Sequence, residues 1–122
     1  VADYRPEQAS KEKIKRSGKE LYTLSLVSNP DIAASLGQIK KAGQLTIGFA
    51  LETNDEERNA TMKMEAKNLD YIILNSMNDQ GAGFGHDTNK VTILSRNGEK
   101  QSFALKSKDE VAKDIVDNAF GN

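Results

Sequence analysis

Residues 44–67, QLTIGFALETNDEERNATMKMEAK, decide how the rest of the chain is read. Leu45, Ile47 and Phe49, with the small Gly48 and Ala50 between them, read as one short buried strand of an α/β sheet. The strand runs into Glu52-Thr53-Asn54-Asp55, whose carboxylate, hydroxyl and amide groups suit a helix start, where the leading amides lack partners. On the helix that follows, Lys63 and Lys67 stand four residues apart, so their ammonium groups project from one face. The helix is inferred from the propensity of Ala, Met, Glu and Lys rather than from an apolar stripe. Met62, Ala66 and Leu69 fall on one side of it and Ala60 with Met64 on another. Ligands of open α/β sheets bind beyond the carboxyl ends of the strands. A strand, a polar turn and a helix with paired cations therefore point to an anionic ligand, and a phosphate chain is the first candidate.

Upstream, Ser28-Asn29-Pro30-Asp31 is the strongest helix start in the chain. Asn29 suits a cap, Pro30 the first helical position and Asp31 the positive end of the dipole. Ile32, Leu36 and Ile39 follow as an apolar stripe, and Lys40, Lys41 and Gly43 close the helix. A helix N-terminus is itself able to hold an anion, although most simply face water. Leu21 to Val27 reads as another strand. Residues 1–20 are polar, and five basic groups against one acidic group lie between Lys11 and Lys19. Such a run is more often a solvated face; the functional alternative is a flexible cationic flap over an anionic ligand.

Downstream, Asp70 to Asn75 is a buried-type strand. The glycine-rich stretch from Gly81 to Asn89 has GxGxG spacing, not the dinucleotide fingerprint, and is expected to be a mobile connection with His86 exposed. Val91 to Ser95 and Gln101 to Leu105 flank Arg96-Asn97-Gly98-Glu99, which predicts a two-residue type I′ hairpin with Arg96 and Glu99 paired across it. Ser107 and Glu110 form a capping box for a last helix with Val111, Ala112, Ile115, Val116 and Ala119 on its apolar side. The expected fold is α/β: a mostly parallel, Rossmann-like sheet flanked by helices with a β-hairpin appended.

The 122 residues allow one domain at most, and an apolar fraction of 37% without tryptophan is thin for it. Some surface is therefore expected to be covered by another chain or segment. Seventeen basic and eighteen acidic residues leave a charge of −1, so no general attraction to nucleic acid or to an anionic membrane follows. Cysteine is absent, which removes disulfides, thiolate metal sites and a thiol nucleophile. With no apolar run long enough for a membrane span and no signal peptide, a cytoplasmic location is expected. The opening on Val1 without an initiator methionine suggests a fragment or processed chain.

Several segments in collinear order resemble the C-terminal part of bacterial phosphopantothenate–cysteine ligase. They are VADYRP at 1–6, EKIKR at 12–16, NPDIAASLG at 29–37, GFALETN at 48–54, KMEAKNLDYIILN at 63–75, GAGFGHDTNKVTIL at 81–94 and the SKDEVAKDI helix. The likeness spans all of residues 1–122, with the basic flap inside 1–20, and implies a partial domain lacking its N-terminal strands. The family is usually fused behind a flavin-dependent phosphopantothenoylcysteine decarboxylase, so a flavin would belong to that domain and not to this chain. It joins 4′-phosphopantothenate to cysteine in coenzyme A synthesis: CTP activates the carboxylate as an acyl-cytidylate with release of pyrophosphate, and the cysteine amine then displaces CMP.

By this resemblance Asp3 and Phe49 would line the cytidine site, and Pro30, Asp31, Ile32 and Ala33 would bring a helix start to the nucleotide. Lys63 and Lys67 match nucleotide-binding lysines, and Lys13 the first lysine of a flap that closes over the active site of a homodimer, with a catalytic as well as a nucleotide-binding role. Mg²⁺ is expected with CTP, although this stretch offers no evident carboxylate cage. The chain departs from the family at Arg16, where lysine is usual, at Leu51, where a small residue is frequent, and at Ser76, where an acidic residue often follows the strand asparagine. The glycine-rich nucleotide-fold start, the phosphopantothenate site and the intermediate-binding asparagine of the family's N-terminal half have no counterpart, so this chain alone is expected to be inactive. The alternatives are a generic α/β nucleotide-binding module without ligase activity, and an interaction domain whose lysines are solvated.

Overall fold

The computed structural model describes residues 2–16, 18, 21–76, 85 and 87–121. They form two compact units, residues 1–32 and 33–122. In the first, β1 (Tyr4–Pro6) pairs antiparallel with β2 (Leu26–Ser28), Tyr4 lying opposite Ser28. The strand expected over 21–27 is thus confined to its last residues. Asn29 fastens this ladder instead of capping a helix. Its Nδ2 donates to the Ala2 carbonyl (2.8 Å) and its Oδ1 accepts from Arg5 (3.1 Å). The following helix, α1 (Ile32–Ile39), begins three residues later, so Pro30 and Asp31 precede it.

The second unit contains α1 from Ala33 onward, β3 (Ile47–Glu52), α2 (Glu56–Ala66), β4 (Tyr71–Ser76), β5 (Thr88–Asn89), β6 (Val91–Ser95), β7 (Lys100–Ser102), β8 (Lys106–Ser107) and α3 (Lys108–Phe120). Its main sheet has the order β3-β4-β6-β7, and β5 pairs with β8 separately. The α/β class and the appended hairpin follow the expectation, but parallel pairing among the described strands is limited to β3–β4. The reason is that β2 pairs with β1 and contributes nothing to this sheet, leaving β3 at its edge.

Period-two alternation divides the core. Ala50, Ile72, Leu74 and Leu94 meet Ala60 and Met64 of α2 on one face. Ile73, Val91 and Ile93 meet Val111 on the other, with Ile47, Phe103 and Ile115 packed alongside. Ile72, Ile73 and Val91 are fully buried, each contributing about 1.5–3 kcal/mol. Of the two sides of α2, Ala60 and Met64 are therefore the packed one, while Met62 is exposed. On α3, Val111 is buried but Ala112 and Val116 face solvent.

Two expectations at the helices are corrected. The apolar stripe Ile32, Leu36 and Ile39 of α1 is exposed, and the helix instead buries Gly37, with Ala33 and Lys40 half-buried. Gly37 is required by close approach: a Cβ there would lie 1.9 Å from the Lys67 carbonyl oxygen at the end of α2. Asp55, at the N-cap of α2, has φ 43° and makes no side-chain capping bond; Asn59 donates from its backbone to the Asp55 carbonyl (2.9 Å). The capping box of α3 is present, with the Glu110 amide donating to Ser107 Oγ (3.3 Å) and the Ser107 amide to Glu110 Oε2 (3.0 Å).

The β6–β7 turn is not type I′, since Gly98 (φ 89°) has positive φ and Asn97 does not. Gly98 N donates to the Ser95 carbonyl (3.0 Å), and Arg96 reaches Asn68 rather than Glu99. Residues 81–84 and His86 lie outside the described residues. No helix among the described residues is long and apolar enough to cross a membrane.

Candidate functional site

The parallel β3–β4 pair brings Glu52 opposite Ser76 at the carboxyl end of the sheet. Glu52 lies on the same face as Ala50, toward α2, because the two are two residues apart on a strand. Lys63, two turns into α2, donates from Nζ to Glu52 Oε1 and forms an ion pair with it. The Glu52 side chain is 11% exposed and that of Lys63 47%. Ser76 Oγ donates to Glu56 Oε1 (2.6 Å) in the first turn of α2, so a second carboxylate stands at the same rim.

Lys67 is the C-cap of α2, its amide bonded to the Lys63 carbonyl (3.1 Å) and its own carbonyl facing Gly37 of α1. Ala33 precedes Gly37 by four residues and shares its face of the helix. Asn68 (φ 54°) completes the junction by donating from Nδ2 to the Gly37 carbonyl (2.7 Å). Beneath it, Lys40 Nζ contacts both Asp70 oxygens (3.0 and 2.8 Å) and the Asn68 carbonyl (2.9 Å). The Thr46 amide also donates to Asp70 (2.7 Å). Burial pushes the Asp70 carboxyl upward, but the hydrogen bonds from Lys40 and Thr46 together with the Lys40 charge hold it below its ordinary value.

Phe49 alternates with Glu52's face and so belongs to the opposite side of β3. It is 72% exposed, which corrects the expectation of a buried strand: β3 is an edge, and α3 covers the neighbouring Ile73 but not Phe49. The second unit thus holds Ala33 on α1, Lys63 on α2 and Lys67 at its C-cap, and Phe49 on the side of β3 that faces away from α2. Asp3, Lys13, Pro30, Asp31 and Ile32 belong to the first unit, where all five are exposed and Lys13 lies outside helix and strand. Glu52 is the residue that sequence reasoning missed. A carboxylate ending a strand, in phase with the face that a helical lysine crosses, was the available signal.

No group of three or more His, Cys, Asp or Glu among the described residues could hold a metal ion. A protein cage for Mg²⁺ thus does not fit these residues. What the site offers is the Lys63 ammonium group held by Glu52 and, a turn further on, Lys67 at the junction of α2 with α1.

Ligands of open α/β sheets bind beyond the carboxyl ends of the strands, which is where Glu52 and the Lys63 ammonium group meet. The family model of the DNA/pantothenate metabolism flavoprotein C-terminal domain matches residues 1–121, and the chain belongs to that family. A cysteine/cysteine sulfinic acid decarboxylase from an unknown prokaryotic organism is 52% identical over 95% of this chain and 32% of its own length. The coenzyme A biosynthesis bifunctional protein CoaBC of Bacillus subtilis is 42% identical over 95% of this chain and 28% of its own length. That of Haemophilus influenzae is 41% identical over 95% of this chain and 28% of its length. A crystal structure of the C-terminal domain of CoaBC superposes with a TM-score of 0.71 at 34% identity, covering 98% of this chain and 48% of that one. The chain thus spans about a third or less of these curated relatives.

Proposed function

We propose that this chain supplies the nucleotide side of a phosphopantothenate–cysteine ligase in coenzyme A biosynthesis. The observation that carries the reading is the Lys63 ammonium group at the carboxyl rim of β3, with Lys67 one turn along the same helix. The CoaBC relatives are named for coenzyme A biosynthesis, which supports it from outside the geometry. In this reading CTP lays its phosphates against Lys63 and Lys67, whose charges offset the negative charge that develops on the α-phosphate and the departing pyrophosphate. Phe49 offers an exposed aromatic face to the base. The phosphopantothenate carboxylate attacks the α-phosphorus, pyrophosphate leaves, and the cysteine amine then displaces CMP to leave an amide.

For Asp3, Lys13, Pro30, Asp31 and Ile32, the support is the family likeness alone. Mg²⁺ is expected to arrive with the triphosphate, and the support for it is the family likeness alone. Homodimer formation, a cytoplasmic location and a fused flavin-dependent decarboxylase belong to the same reading, as does the inactivity of this chain alone. The relative named for decarboxylation of cysteine or cysteine sulfinic acid is matched over 32% of its length and the CoaBC relatives over 28%; the ligase reading is preferred because a solved C-terminal domain of CoaBC covers 98% of this chain.

Thermal-shift titration with CTP, ATP and NADH, each with and without Mg²⁺, tests the proposal. Stabilisation preferring CTP is expected. Equal response to all three nucleotides would favour a generic nucleotide module, and no response to any would leave the lysines as solvated charges.

A further inference from the structure

We propose that Glu52 is an internal competitor at the anion site: its carboxylate takes the Lys63 ammonium group when no ligand is bound and so weakens the binding of polyphosphates there. The inference rests on the reading of Lys63 as a phosphate-binding residue, and it adds a second residue that tunes the same contact. Glu52 ends β3 with its side chain 11% exposed, so its negative charge is poorly solvated and needs a partner. Lys63 supplies one across the strand–turn–helix connection while remaining 47% exposed itself. An ammonium group has three donors, of which this contact takes one, leaving the others toward solvent.

An incoming phosphate therefore meets a neutral pair and not a lone cation. If it displaces Glu52 from Lys63, one charge-assisted bond replaces another, and a carboxylate with little access to water is left without its cation. If it shares Lys63, it stands beside the carboxylate and is repelled by it. Either route subtracts from the affinity that Lys63 alone would give. Glu56, whose carboxylate accepts from Ser76 Oγ, stands at the same rim. A ligand overcomes this only by making further contacts, which a nucleotide triphosphate does and a small anion does not. The pair thus keeps the site from filling with small anions.

The direction of the effect separates this role from a structural one, since damage to the fold lowers affinity whereas relief of competition raises it. Isothermal titration of the full chain with CTP and with inorganic tripolyphosphate is the test, using wild type, Glu52→Gln, Lys63→Gln and the double variant. Glu52→Gln is expected to bind both ligands about three- to tenfold more tightly. The gain is expected to vanish in the Lys63→Gln background. Should Glu52→Gln fail to fold, Glu52→Ser carries the same expectation. Unchanged or weaker binding by the neutral variant, while Lys63→Gln still weakens it, would overturn the competitor role and leave the Lys63 reading intact. A gain of equal size without Lys63 would also overturn it. If Lys63→Gln binds both ligands as wild type does, the anion site and its competitor fall together.

Discussion

The Lys40 ammonium group lies 2.8 Å from Asp70 Oδ2, joining the residue that follows α1 to the one that precedes β4. Lys40 also meets Thr46 Oγ1 (3.3 Å), while Asp70 receives the Thr46 amide, so helix, edge strand and central strand share one polar knot. The Lys40 and Asp70 side chains are 11% and 22% exposed. Removing one partner leaves the other poorly solvated, and Asp70→Ala or Lys40→Ala is expected to destabilise the chain by about 2–4 kcal/mol in urea unfolding.

The same knot gives a pH dependence. The Asp70 carboxyl titrates below its ordinary value of 3.8 in the folded chain, so the unfolded chain binds its proton more readily. Its contribution is therefore fully present above the unfolded value and is lost as pH falls through the lowered folded value. Urea midpoints measured from pH 6 downward should decline more steeply below about pH 4 in the wild type than in Asp70→Asn. Parallel curves for the two would refute the assignment.

At the α1–α2 junction, Gly37 leaves room for the Lys67 carbonyl and accepts from Asn68. Gly37→Ala normally favours a helix through propensity, by about 1 kcal/mol. Here the added carbon would meet a backbone oxygen at 1.9 Å, which no rotamer can relieve. Overpacking wins, with an expected net loss of about 1–3 kcal/mol and a lower melting temperature. A higher one would show that α1 does not seat there.

Ser107→Ala removes the acceptor for the Glu110 amide and one donor to the Glu110 carboxylate. The Ser107 side-chain and backbone hydrogen bonds hold the Glu110 carboxyl below its ordinary value. Loss of the cap should cost about 0.5–2 kcal/mol, read as a shift in thermal midpoint.

These cases show which features a sequence displays. The capping box is legible because its partners are three residues apart and need no tertiary knowledge. The hairpin is legible in place but not in type, since the backbone conformation at Asn97 is set by the loop that Ser95 and Gly98 close. Asn29 carries the signal of a cap, yet the same amide finds Ala2 and Arg5 across a ladder whose pairing is not local. In α1 the apolar stripe misleads, because the small face at Gly37 allows the backbones closer together than Leu36 could. Phe49 is exposed because β3 is an edge strand, and edge position depends on the whole strand order. Lys63 was visible as a cation; the carboxylate that holds it is eleven residues away and on another element.

That last pairing changes how the lysines must be tested. Lys63→Ala removes a candidate phosphate contact and also strands Glu52, whose side chain is only 11% exposed. It is expected to weaken CTP binding by about 1–3 kcal/mol and to lower stability as well. Lys67→Ala leaves the Lys63–Glu52 pair in place, so a loss of affinity there carries no penalty from that carboxylate. Combining Lys63→Ala with Glu52→Gln should restore most of the lost stability and none of the lost affinity, because a neutral amide has less need of a cation and offers none to a phosphate. Calorimetric titration beside urea unfolding reads the two effects separately. If neither lysine variant alters CTP affinity, the rim of β3 is not where the triphosphate rests; if both do and Glu52→Gln rescues the stability of Lys63→Ala, the lost stability belongs to the stranded carboxylate and the lost affinity to the phosphate contact.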